Sequence, residues 1–167
     1  MTLTVHRRIT DVARAEPGRT ALVGFDSELA EQTLSWGELA GSVEDAVAGL
    51  RAALDPDVPS CVVVEAANTL AAATGIAAAL AAEVPVFPLN PATPAAERDV
   101  LFGLLGRRYG HVHLMDGGNR PGPAIASATP PTTRGSAAYL LATGASTGVP
   151  KISARPGPLR YDPARTP

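Results

Sequence analysis

The stretch Ala137-Ala138-Tyr139-Leu140-Leu141-Ala142-Thr143-Gly144-Ala145-Ser146-Thr147-Gly148-Val149-Pro150-Lys151 joins an apolar, strand-like run to a loop of small residues closed by a proline and a lysine. Glycines let the backbone turn where a side chain would clash, so successive N–H groups can face one anion. The hydroxyls of Thr143, Ser146 and Thr147 add donors, and Lys151 adds a mobile positive charge. A strand feeding such a loop reads as a phosphate cradle. The same composition also suits an exposed turn between two strands, because Gly, Ser and Thr favour turns in any context. It is not the common P-loop: that motif ends in Gly-Lys-Ser/Thr and opens a helix, whereas here Pro150 precedes the lysine and Ile152-Ser153 follows without a helix start.

Upstream of this stretch, strand and helix signals alternate. Val5, Ile9, Val12 and Ala13 recur at helical spacing until Pro17-Gly18, and residues 21–25 and 32–34 read as a hairpin. Ser35 and Glu38 form a capping box ahead of a helix whose buried face is Leu39, Val43, Ala46, Val47, Leu50 and Leu54. Cys61-Val62-Val63-Val64 is continuously apolar, as a strand buried on both faces of a parallel sheet requires. An alanine-rich helix follows over residues 68–82. The next strand, over 84–89, contains Pro85 and Pro88, which lack ladder donors and predict a sheet edge or irregular pairing.

Thr93 is expected to cap a further helix with Pro94 at its first position and Val100, Leu101, Leu104 and Leu105 inside. His111 to Met115 reads as another strand. This alternation predicts an α/β fold, a Rossmann-like parallel sheet flanked by helices with right-handed crossovers. The expected organisation is an α/β subdomain over 1–116 and a flexible Gly/Pro-rich linker over 117–135. Residues 136–153 then hold the strand and loop, and 154–167 form a disordered Pro/Arg-rich tail.

With 167 residues, 46% hydrophobic and 18% charged, the chain suits one globular domain. Alanine carries much of the apolar share and aromatics only 4%, so the core is expected to be thin. A net charge of −2 with scattered basic residues gives no support for nucleic-acid binding. The longest apolar stretch, Leu70 to Ala82, is too short and too alanine-rich to span a membrane, and the N-terminal residues, with Arg7-Arg8 but no apolar run, are not expected to act as a secretory signal.

A single cysteine, Cys61, makes no internal disulfide, which points to a reducing, cytoplasmic setting with the thiol as a small buried hydrophobe. His111 and His113 share a strand face without a third ligand in register and read as a solvated face rather than a metal site. Glu44-Asp45 and Asp55 with Asp57 read as solvated carboxylates, and no Ser-His-Asp set is present. No catalytic residue and no metal ligand is assigned.

The loop resembles the signature Ser/Thr/Gly-rich loop of adenylate-forming (AMP-binding) enzymes, which include acyl- and aryl-CoA ligases, peptide-synthetase adenylation domains and luciferases. Leu141, Thr143, Gly144, Ser146, Thr147, Gly148, Pro150 and Lys151 match that pattern, and Ala145 stands where the family has glycine. Thr33-Leu34-Ser35-Trp36-Gly37-Glu38-Leu39, then Val62-Val63-Val64 with Asn68, then Val84-Pro85-Val86-Phe87-Pro88-Leu89-Asn90-Pro91 resemble earlier family segments in the same order. Ala82-Glu83 replace the usual Gly-Ala. The resemblance spans nearly all of residues 10–152.

The resemblance implies that Thr143, Gly144, Ala145, Ser146, Thr147, Gly148 and Lys151 bind the phosphates of ATP, supplied with Mg2+. In an intact member a carboxylic acid becomes an acyl-adenylate, then passes to coenzyme A or a carrier-protein thiol. Family members are several times longer, so the chain is expected to be an N-terminal portion, inactive alone, whose partners include the remainder of the enzyme. The alternative is a non-catalytic α/β interaction module built on the same scaffold.

Overall fold

The computed structural model describes residues 3–26, 28, 30–116, 120–127, 137–143, 150–157 and 160–161. Strand β1 (Leu3–Thr4) leads into helix α1 (Val5–Ala15), and strands β2 (Thr20–Phe25) and β3 (Glu31–Ser35) pair antiparallel. Then come α2 (Trp36–Ala53), β4 (Ser60–Glu65), α3 (Leu70–Ala81), β5 (Val86–Leu89), α4 (Ala95–Tyr109) and β6 (His111–Met115). Strands β7 (Pro121–Ser127), β8 (Ala137–Thr143), β9 (Lys151–Pro156) and β10 (Arg160–Tyr161) complete the described chain. Six strands form one sheet in the order β7-β6-β4-β5-β8-β9. Its centre, β6, β4, β5 and β8, is parallel, and its two edge strands run antiparallel to their neighbours.

The alternation of β4 organises the core. Val62 and Val64 face the layer of α1, α2 and α3, where Ile9, Leu39, Val43, Val47 and Leu50 pack against them. Cys61 and Val63 face the other side, where α4 supplies Leu101, Leu105 and Tyr109. All four central residues of β4 are buried, which explains why this strand is apolar without interruption. The capping box of α2 forms as expected: Glu38 N–H donates to Ser35 Oγ (3.3 Å) and Ser35 N–H to Glu38 Oε2 (2.8 Å).

The structure corrects several expectations. β5 lies inside the sheet, between β4 and β8, not at its edge. Val62 N–H and Ala66 N–H donate to the carbonyls of Pro85 and Leu89, so the odd-numbered residues of this segment face β4. By alternation Pro88 faces β8, where the only registered pair is Val86 with Tyr139. The missing donor therefore falls where the ladder is already sparse, and the pairing is irregular as expected.

Helix α4 begins at Ala95 with Pro94 as its cap residue and no side-chain cap; the Thr93 carbonyl instead accepts from Arg98 Nε at 2.9 Å. Val100 is 45% exposed, and the inner stripe is Leu101, Leu105 and Tyr109. Residues 121–127, expected within a linker, pair with β6, because an edge position tolerates Pro121 and Pro123. The expected tail begins inside β9, and the backbone of Arg160 and Tyr161 pairs with Thr4 and Leu3. His113 is buried rather than solvated, and its Nδ1–H donates to the Gly122 carbonyl at 2.9 Å, so that ring is tied to the edge strand.

Candidate phosphate-binding site

The parallel strands β4, β5, β6 and β8 all end at one edge of the sheet, the place where open α/β sheets collect ligands. Strand β8 ends there at Thr143, and β9 returns from Lys151. Thr143 and Lys151 are directly opposed across this antiparallel pair, and Thr143 Oγ1 donates to the Lys151 carbonyl at 3.3 Å. Both side chains are exposed. Among the described residues no carboxylate forms an ion pair with Lys151. Gly144, Ala145, Ser146, Thr147 and Gly148, the rest of the sequence-assigned loop, lie outside the described residues. The two ends of the assigned set thus come together at the mouth of a loop joining antiparallel strands.

Beside this mouth lies an open cleft of about 400 Å³ between the Asn90–Pro94 turn, the start of α4 and the end of β8. Leu141, 48% exposed, lines its β8 side. The opposing turn is ordered by Asn90, whose Oδ1 accepts from Ala92 N–H (2.9 Å) and whose carbonyl accepts from Thr93 N–H (2.9 Å). Arg98 anchors the turn from below: Nη1 donates to Glu65 Oε1 at 2.7 Å, Nε to the Thr93 carbonyl at 2.9 Å and Nη2 to the Pro91 carbonyl at 2.6 Å. Sequence reading missed Arg98 and Glu65, since nothing local links residues 33 positions apart. It missed Leu141 as a lining residue because an apolar residue in a strand signals core.

Cys61 is buried, and burial pushes its thiol up to about 12, which keeps it protonated and unreactive. Among the described residues no group of three or more His, Cys, Asp or Glu side chains is placed to hold a metal ion.

The sequence matches no protein-family model and no curated protein. Its fold matches solved structures of adenylate-forming ligases. It resembles the Klebsiella oxytoca NpsA N-terminal subdomain at a TM-score of 0.64 and 19% identity, over 92% of this chain and 42% of that one. It resembles a Legionella pneumophila fatty acyl-adenylate ligase in complex with acyl adenylate and pyrophosphate at a TM-score of 0.61 and 19% identity, over 90% of this chain and 30% of that one. The Bacillus subtilis O-succinylbenzoate coenzyme A synthetase MenE, in complex with AMP, gives a TM-score of 0.61 and 17% identity, over 91% of this chain and 42% of that one. This chain thus spans less than half the length of these structural neighbours. No helix among the described residues is long and apolar enough to cross a membrane. The mixed sheet with helices on both faces matches part of the fold of the N-terminal subdomain of adenylate-forming ligases.

Proposed function

We propose that this chain is the phosphate-holding part of an AMP-forming ligase, with residues 143–151 cradling the polyphosphate of ATP. The observation that carries this reading is the opposition of Thr143 and Lys151 at the carboxyl edge of the sheet, both exposed and the lysine without an acidic partner among the described residues. Bound ATP would supply an α-phosphate for attack by a carboxylate, with pyrophosphate leaving. Lys151 would offset the charge gathering on that leaving group, the Ser146 and Thr147 hydroxyls would donate to its oxygens, and Thr143 would turn its one hydroxyl proton from the Lys151 carbonyl to the same oxygens. A donor already in place gains more than one that must reorganise, and the paired strands hold Thr143 and Lys151 opposite one another. Transfer of the acyl group to coenzyme A or a carrier thiol belongs to the same proposal. Magnesium accompanying ATP belongs to the same proposal, and the role of Lys151 does not depend on it.

Calorimetric titration of pyrophosphate into the purified chain tests this. Binding that Lys151→Ala weakens about five- to ten-fold is expected, the value of one charge-assisted contact at a half-open site. Equal affinity in the two proteins would remove the loop assignment.

A second reading, a non-catalytic interaction module on the same scaffold, is favoured by one observation. Among the described residues β9 pairs with β8 alone and leaves its other edge open. Sedimentation at rising concentration separates the readings, because a chain that stays monomeric gives that edge no self-association role.

A further inference from the structure

Beyond Thr143 and Lys151, β9 carries a row of donors that the loop does not use. Its burial alternates: Ile152 and Ala154 turn inward and pack beside α4, while Lys151, Ser153 and Arg155 are exposed. The register opposes Lys151 to Thr143, Ser153 to Leu141 and Arg155 to Tyr139. Tyr139 packs toward the layer of α1, α2 and α3, so the three exposed β9 residues lie on that side of the sheet. The helices do not cover this corner: Leu141, in the middle of the row, is 48% exposed.

Lys151 and Arg155 stand four residues apart on an extended strand, about 13 Å between their Cα atoms. Both side chains are long and flexible, and the Ser153 hydroxyl lies between them. Neither cation forms an ion pair with a described carboxylate. Two cations with no ion-pair partner among the described residues and a hydroxyl between them, in a line leading away from the loop mouth, match a linear anion better than a compact one.

We infer that Ser153 and Arg155 extend the Lys151 site along β9 and that this row selects a chain of three phosphates over a chain of two. The inference rests on the phosphate-binding reading of the loop and adds to it the residue that senses polyphosphate length. Lys151 holds the phosphates nearest the loop, Ser153 donates a hydrogen bond to the middle of the chain, and Arg155 meets its far end with a planar fork suited to phosphate oxygens.

Inorganic pyrophosphate and inorganic tripolyphosphate, titrated at low and at moderate ionic strength into the full chain, are the probes. Lys151→Ala should weaken both. Arg155→Ala should weaken tripolyphosphate about five-fold, the usual scale of one exposed ion pair, and leave pyrophosphate unchanged. Arg155→Lys should retain most of the tripolyphosphate affinity, and the three proteins should unfold at the same temperature because the residue is exposed.

If Arg155→Ala leaves tripolyphosphate binding intact while Lys151→Ala weakens both probes, the extended row is refuted and the loop assignment stands. Equal weakening of both probes by Arg155→Ala refutes it as well, since that is a general charge effect. If the unaltered chain binds neither probe, or Lys151→Ala changes nothing, the loop assignment and the extension fall together.

Discussion

Arg98 and Glu65 meet at 2.7 Å between the first turn of α4 and the end of β4, and the same guanidinium donates to the carbonyls of Thr93 and Pro91. One side chain therefore fixes the turn that faces the loop mouth across the cleft. Removing it leaves two carbonyls and a half-exposed carboxylate without their donor. Arg98→Ala should lower stability by about 1–2 kcal/mol, the range for a partly exposed charged hydrogen-bond group. Faster hydrogen exchange at the Ala92 and Thr93 amides should accompany the loss, because Asn90 alone would then order the turn. Arg98→Lys should recover little, since a single ammonium does not span three acceptors in different directions. A denaturant midpoint unchanged by Arg98→Ala would contradict the anchoring role.

Glu83 follows α3 with φ at 58°, in the left-handed region that disfavours any residue with a Cβ. The helix ends in a Schellman arrangement, with Val84 N–H donating to the Ala79 carbonyl (2.9 Å) and Glu83 N–H to the Leu80 carbonyl (3.3 Å). Glycine is the residue this position favours. Glu83→Gly should stabilise the chain by about 1 kcal/mol and raise the unfolding temperature by about 2–4 °C. A lower unfolding temperature would show that the Glu83 side chain contributes more than its backbone costs.

The capping box makes stability depend on acid pH. The Ser35 N–H and hydroxyl hold the Glu38 carboxyl below its usual value of 4.5, and the Ala30 and Glu28 N–H groups hold Asp26 below 3.8. Both folded values lie below the unfolded ones, so this stabilisation is complete above the unfolded values and is lost as pH falls through the folded ones. Unfolding temperature should therefore decline as pH drops below about 4.5. Glu38→Gln should flatten part of that decline, and Ser35→Ala should cost about 1 kcal/mol at neutral pH. Thermal scans between pH 3 and 7 check this, and parallel curves for the parent and Glu38→Gln would contradict it.

What could be read in advance followed from how local each signal is. The capping box of Ser35 and Glu38, the inner face of α2 and the apolar run of β4 are set by residues close in sequence, and all three stand where periodicity places them. The position of β5 was not readable, because whether Pro88 faces a neighbour or solvent depends on which strands flank it. β7 was hidden for a related reason: its Pro and Gly content resembles a linker until β6 offers it an edge. At the site, Thr143 and Lys151 were legible as the ends of one motif. The anchor from Arg98 to Glu65 was not, since it arises only when α4 folds back over the end of β4.

The most direct test of the phosphate-binding account is the thermal unfolding of the full chain with and without Mg-ATP, run in parallel on Lys151→Ala. A ligand that binds only the folded state raises the midpoint, with the logarithm of its concentration once that exceeds the Kd. The account predicts one cooperative transition that rises with Mg-ATP in the parent chain and rises less or not at all in the variant. A cooperative transition that Mg-ATP leaves in place in both proteins would contradict it.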